Sequence, residues 1–178
     1  MKGGRGVRIG VIGGNQISDA LYAEAEEVGR RLAEAGALVV CGGMEGAMEA
    51  VCKGAVEAGG TSIGLLPDAT VERANRFVSV PLATGVGYAR NYMIVYNSDA
   101  VIAVGGSEGT LNEMAAALNM GLTVVSLDSW PVDRIGDLRR GRLVHAKGPE
   151  EAVLRALEAA RGRASQKAGA SEEKRPVP

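Results

Sequence analysis

Aromatic side chains are scarce: one Phe, one Trp and four Tyr make up 3% of the 178 residues. The core must therefore be built from Ala, Val, Leu and Ile, with 26 Gly allowing elements to approach closely. Histidine is scarcer still, the single His145. A His-rich metal site is excluded, and a Ser-His-Asp triad would depend on that one residue. No nucleophile motif accompanies it, and within Arg142-Leu-Val-His-Ala146 it reads as a late-strand or surface residue. The two cysteines, Cys41 and Cys52, form neither a CxxC nor a disulfide framework, and their apolar contexts predict buried free thiols. No apolar run reaches the roughly 18 residues of a membrane span, and the N-terminal residues lack a signal-peptide core. These absences predict a cytoplasmic protein with no membrane partner. A net charge of −1 gives no bulk attraction to nucleic acid, and there is no aromatic-rich basic face to bind it. Length fits one domain over 1–161, followed by a polar tail over 162–178.

One stretch carries the chemistry: Val101-Ile-Ala-Val-Gly-Gly-Ser-Glu-Gly-Thr-Leu-Asn-Glu113. Val101 to Val104 is an apolar run suited to a strand covered on both faces. Gly105, Gly106 and Gly109 suit a tight turn. A helix then opens at Thr110, with Leu111, Met114, Ala115 and Leu118 on one face. The free N–H groups of such a helix start suit a phosphate or carboxylate. Glu113 lies off the apolar stripe, placing a carboxylate beside that anion site. The competing reading is a bare strand–helix connection with Glu113 as a solvated first-turn residue.

The same strand, glycine turn and helix recur along the chain. Strands are expected at 7–12, 38–41, 62–66, 77–80, 100–104, 122–127 and 143–146. Helices are expected at 18–35, 47–58, 88–97, from Thr110 onward, and over 149–161, with a short helix or turn over 132–140. The recurring alternation gives an α/β three-layer, Rossmann-like fold: a mostly parallel sheet of about seven strands with helices on both faces. Ligands of such sheets bind at the carboxyl ends of the strands. The turns after strands therefore supply the candidate phosphate- and nucleotide-binding residues. These are Gly13, Gly14 and Asn15 in the first, Gly42, Gly43 and Gly46 in the second, and Gly106, Ser107, Glu108, Gly109 and Thr110 in the third. The first turn does not fit GxGxxG, and the second strand ends in Cys41-Gly42 where a ribose-binding acid would stand, which argues against NAD. No Gly-Lys-Ser/Thr follows any turn, so a Walker A loop is absent.

Gly42-Gly43-Met-Glu-Gly46-Ala-Met48, then Tyr88-Ala-Arg90-Asn91, then Gly106-Ser-Glu-Gly109-Thr110-Leu-Asn-Glu113 follow one another in this order. In that order they resemble the LONELY GUY family, long mislabelled lysine decarboxylase. Its members are Rossmann-like, usually homodimeric nucleoside 5′-monophosphate phosphoribohydrolases. The resemblance spans about residues 7–160. The family's Pro-Gly-Gly-x-Gly-Thr-x-x-Glu pattern aligns on Gly109-Thr110 and Glu113. Its Pro falls on Gly105, its second Gly on Ser107, and its Arg-Lys pair on Arg90-Asn91. The chain is more similar still to a divergent branch that includes molybdenum cofactor carrier proteins.

The resemblance implies catalytic roles for Arg90 and Glu113. A carboxylate near the anomeric carbon stabilises an oxocarbenium-like sugar and activates water. An anchored 5′-phosphate holds the ribose over it, and Arg90 grips phosphate or base. Read without the resemblance, Arg90 is a helix-surface residue in a salt bridge. No metal or required cofactor is implied; a nucleotide, phosphate or molybdenum cofactor is the expected small phosphorylated ligand. Two functions remain: a hydrolase releasing base and ribose 5-phosphate, and a non-catalytic carrier using the same loop. Excess apolar residues on the helices around Tyr92, Tyr96, Ala115, Ala116, Ala117 and Met120, together with the resemblance, predict a homodimer.

Overall fold

The computed structural model describes residues 6–132 and 140–173, the side chains of 165–173 excepted. The expected short helix or turn over 132–140 therefore lies almost wholly outside the described residues.

Seven parallel strands form one sheet in the order β4-β3-β2-β1-β5-β6-β7. They are β1 (Arg8–Gly13), β2 (Leu38–Cys41), β3 (Ser62–Leu66), β4 (Val80–Ala83), β5 (Ala100–Val104), β6 (Thr123–Leu127) and β7 (Arg142–His145). The helices are α1 (Asp19–Glu34), α2 (Ala47–Glu57), α3 (Arg90–Tyr96), α4 (Glu108–Asn119) and α5 (Pro149–Glu173). One core packs α1, α2 and α5 on one face through Val28, Leu32, Val51, Ala152 and Ala156. The other packs α3 and α4 through Ile94, Val95, Met114 and Leu118. The expected three-layer, Rossmann-like architecture is the one observed.

The small side chains do specific work in this packing. A Cβ on Gly54 would lie 1.8 Å from the Glu26 carbonyl oxygen, and one on Gly29 would lie 2.1 Å from that of Val51. The backbones of α1 and α2 thus touch directly, which a larger residue forbids. At the start of α1, the Ser18 hydroxyl accepts the Leu21 N–H at 3.3 Å, a side-chain cap.

Three expected boundaries are corrected. The fourth strand is Val80–Ala83, where 77–80 was expected; Phe77 and Val78 instead pack on the core from the preceding turn. β4 is an edge strand paired with β3 alone, so Pro81, which has no N–H, is tolerated in its middle. α4 begins at Glu108, two positions before the expected Thr110, because the Ser107 N–H donates to Thr110 Oγ1 at 3.4 Å and sets Ser107 as the cap. α5 continues past Arg161 to Glu173, through Ala-rich sequence with no proline before Pro176.

β1 lies between β2 and β5, and the chain crosses to opposite sides from it. The carboxyl ends of β1 and β5 therefore diverge into a crevice, the switch point of a doubly wound sheet.

Candidate functional site

A cavity of about 480 Å³ opens at this switch point. Its lining includes Gly13, Gly14 and Asn15 after β1, Gly42 after β2, and Gly106, Ser107, Gly109 and Thr110 around the start of α4. Arg90 and Glu113 complete it. Strand order alone brings these distant turns together, because β1, β2 and β5 are neighbours.

Arg90 is the first residue of α3 and is only 6% exposed; Glu113, in α4, is also 6% exposed. Neither is the solvated surface residue of the competing readings. Their nearest charged atoms, Arg90 Nη1 and Glu113 Oε1, stand 3.9 Å apart, the outer edge of an ion pair. Burial pushes the Glu113 carboxyl up to about 7, and the Arg90 charge only partly opposes it. Burial lowers the Arg90 value, against the pull of Glu113, yet a guanidinium stays charged at any working pH. Arg90 Nε is buried with no hydrogen-bond acceptor among the described residues. A buried cation with an unused donor lining a cavity suits an anionic ligand.

Gly42 is the seat of Arg90. A Cβ there would lie 2.6 Å from Nη1 and 2.7 Å from Nη2, so any side chain displaces the guanidinium. At the other side, α4 presents its first N–H groups beside Gly106, whose φ of 141° favours glycine. The Trp130 indole N–H donates to the Ser107 carbonyl at 3.0 Å and pins this loop from outside. The Asn91 Nδ2 lies 4.0 Å from where a Gly109 Cβ would stand, flanking the helix start.

Three expected site residues lie elsewhere. Gly43 and Gly46 do not line the cavity; they shape the β2–α2 turn at φ 71° and 66°. A Cβ on Gly46 would lie 2.4 Å from the Gly14 carbonyl oxygen, which accepts the Ala47 N–H at 3.0 Å. Gly46 thus locks the first two turns together from behind. Glu108 is exposed at the helix start and does not line the cavity either. Residues that the sequence reasoning missed include Gln16, Met44, Met48, Tyr88, Asn91 and Ile94. Of these Met44, Met48, Tyr88 and Asn91 had a signal, their place within the two motifs around Gly42 and Arg90; Gln16 and Ile94 had none, and Ile94 reads from sequence as ordinary core. His145 is exposed at the end of β7 and is not part of this lining, and Cys41 and Cys52 are buried free thiols. Among the described residues, no three or more His, Cys, Asp or Glu gather as a metal site, and no helix is long and apolar enough to cross a membrane.

A doubly wound parallel sheet with a cavity at its switch point defines a Rossmann-like protein of the nucleotide- and ligand-binding class. Within that class the chain belongs to the SLOG cluster4 family, which it matches over residues 6–153. It is 43% identical over 121 residues to an uncharacterised protein of Archaeoglobus fulgidus, covering 68% of this chain and 80% of that one. It is similar to the molybdenum cofactor binding protein of Rippkaea orientalis, with 31% identity, TM-score 0.80, and coverage of 86% of this chain and 97% of that chain. The molybdenum cofactor carrier protein of Chlamydomonas reinhardtii is similar to the same degree, with 31% identity, TM-score 0.81, and coverage of 88% and 99%.

Proposed function

We propose that the protein binds a nucleoside 5′-monophosphate in the switch-point cavity and hydrolyses its N-glycosidic bond, releasing base and ribose 5-phosphate. The observation that carries this reading is Glu113, a buried carboxyl at about 7 that faces a cavity with the Arg90 guanidinium 3.9 Å away. Such a value lies near working pH, as acid–base catalysis requires. The phosphate sits at the start of α4, against the N–H groups around Gly109 and Thr110 and near Asn91. Arg90 supplies the buried positive charge. The ribose then lies over Glu113. As the C1′–N bond breaks, its electron pair leaves with the base and the ionised carboxylate stabilises the sugar cation. Water adds to C1′, giving one proton to Glu113, which returns it to the departing base. No metal enters this chemistry, and the protein acts as a cytoplasmic two-fold dimer.

A second reading is favoured by a specific observation: two solved neighbours at 31% identity are described as binding or carrying molybdenum cofactor. In that reading the same loop and Arg90 hold the phosphate of the pterin, the apolar wall of Met44, Met48 and Ile94 covers the ring system, and nothing is cleaved. The unused Arg90 Nε donor fits a phosphate in either case.

The variants separate the two. Glu113→Gln keeps shape and removes charge. In the hydrolase it lowers turnover about a hundredfold with little change in AMP affinity, while Arg90→Ala weakens both. Base release by Glu113→Gln at the wild-type rate contradicts the assigned role.

A further inference from the structure

Beneath the cavity floor lie the two cysteines. Cys41 is the last residue of β2, and Cys52 lies in α2. Their sulfurs are 3.4 Å apart and both are fully buried. From this geometry we infer that Cys41 and Cys52 form a reversible disulfide that resets the cavity, a redox modification site; its effect on ligand rests on the proposed function above.

The two thiols share one hydrogen-bonded contact. Hydrogen bonding from Cys41, with help from Ser62 and Asn75, holds Cys52 below the ordinary thiol range. The same contact with Cys52, together with burial, pushes Cys41 well up. One of the two sulfurs ionises and is the nucleophile, and the other, 3.4 Å away, is the resolving thiol. The oxidant must be close to water in size to reach buried sulfur, and hydrogen peroxide is. The thiolate of the first cysteine attacks one peroxide oxygen; an S–O bond forms, the O–O bond breaks, and the leaving hydroxide takes the proton that this thiol gave up, becoming water. The second cysteine's sulfur then attacks the sulfenic sulfur, the S–O bond breaks, and the departing hydroxide takes the second thiol's proton as water. Two thiols lose two electrons in all, and one peroxide becomes two waters. A dithiol reductant reverses the step by thiol–disulfide exchange.

The bond has a mechanical consequence. A disulfide needs about 2.05 Å between sulfurs, so the pair must close by roughly 1.4 Å. β2 is held on both edges, by β1 and β3, so α2 gives way. One turn before Cys52 on α2 is Met48, which lines the cavity. Directly after Cys41 is Gly42, the seat of Arg90, and the next residue, Gly43, donates its N–H to Cys41 Sγ at 3.4 Å. Closing the sulfurs therefore moves the apolar wall at Met48 against the fixed seat of Arg90.

The test treats the full chain with near-stoichiometric hydrogen peroxide and reads three quantities. They are free thiols after unfolding with intact mass, the Met48 methyl resonance, and AMP affinity by calorimetry. The expected result is loss of both thiols with a mass two hydrogens lower, restored by dithiothreitol. With it come a displaced Met48 methyl signal and an AMP dissociation constant raised about tenfold, since ångström-scale misplacement is felt strongly at a positioned site. Cys52→Ala should show none of these changes. Thiols that persist, or gain oxygen without bonding to each other, overturn the site. So does a disulfide that leaves Met48 unmoved. If the reduced protein has no affinity for AMP, the proposed function fails instead, and the thiol count and Met48 signal still decide the disulfide.

Discussion

Glu113 ties pH to both stability and rate. Its folded value of about 7 lies above the ordinary carboxylate range expected of the unfolded chain, so the native state holds this proton more tightly. Stability from this group is complete at low pH and is lost as pH rises through about 7. The loss is on the order of 3 kcal/mol between roughly pH 4 and pH 8. Urea unfolding over that range should show the decline in wild type and a flatter profile in Glu113→Gln; equal slopes contradict the buried, charge-averse carboxyl. Gly42 gives a second prediction. Gly42→Ala drives a methyl group into the Arg90 guanidinium and should weaken AMP binding at least about tenfold while circular dichroism stays native. Unchanged affinity removes Arg90 from the binding account. Arg90 and Glu113 were legible because motif order carries them. The seat that Gly42 provides for Arg90 was not, since it joins two segments that meet only when the sheet folds. Glu108 stands apart from its neighbours, which line the cavity, because its own side chain, at the first helical position, faces solvent.

At the level of elements, the buried strands and the helices, apart from the end of α5, were legible within a residue or two because their apolar spacing is regular. β4 was not: its pairing comes from β3, and its side chains are mostly exposed, so no burial pattern marks it. The close contact between α1 and α2 is also invisible in sequence, where Gly29 and Gly54 look like weaknesses in helices. Structure gives them opposite meaning to Gly162, which has nothing within 4 Å of its Cβ direction on α5. Gly54→Ala should therefore cost about 2 kcal/mol or more, by prising the two helices apart. Gly162→Ala should stabilise by up to about 1 kcal/mol through helix propensity. Denaturant midpoints of both variants check the pair; a neutral Gly54→Ala would mean that α1 and α2 are not in backbone contact.

Across the whole molecule, alternation of strand and helix announced a parallel sheet, but not which strands flank β1. That order makes the cavity, and it comes from crossover directions that no local pattern encodes. The surface carries one further message. Tyr88, Tyr92 and Tyr96 recur every fourth residue and are 91%, 47% and 67% exposed, beside exposed Val86 and Met93. Ala116 and Ala117, expected at the same contact, are buried within the chain instead. The tyrosine stripe is the surface through which the proposed dimer should form. Light scattering should give twice the chain mass for wild type and the chain mass for a Tyr92→Glu, Tyr96→Glu double variant; a monomeric wild type contradicts the dimer. The central claim, that this cavity cleaves a nucleoside monophosphate, is tested most directly by incubating the reduced wild-type protein with AMP and related monophosphates and quantifying free base. Catalytic release of base, matched by equal ribose 5-phosphate and greatly reduced in Glu113→Gln, is the expected outcome. Tight monophosphate binding with no base released over hours would contradict it and leave the carrier reading in its place.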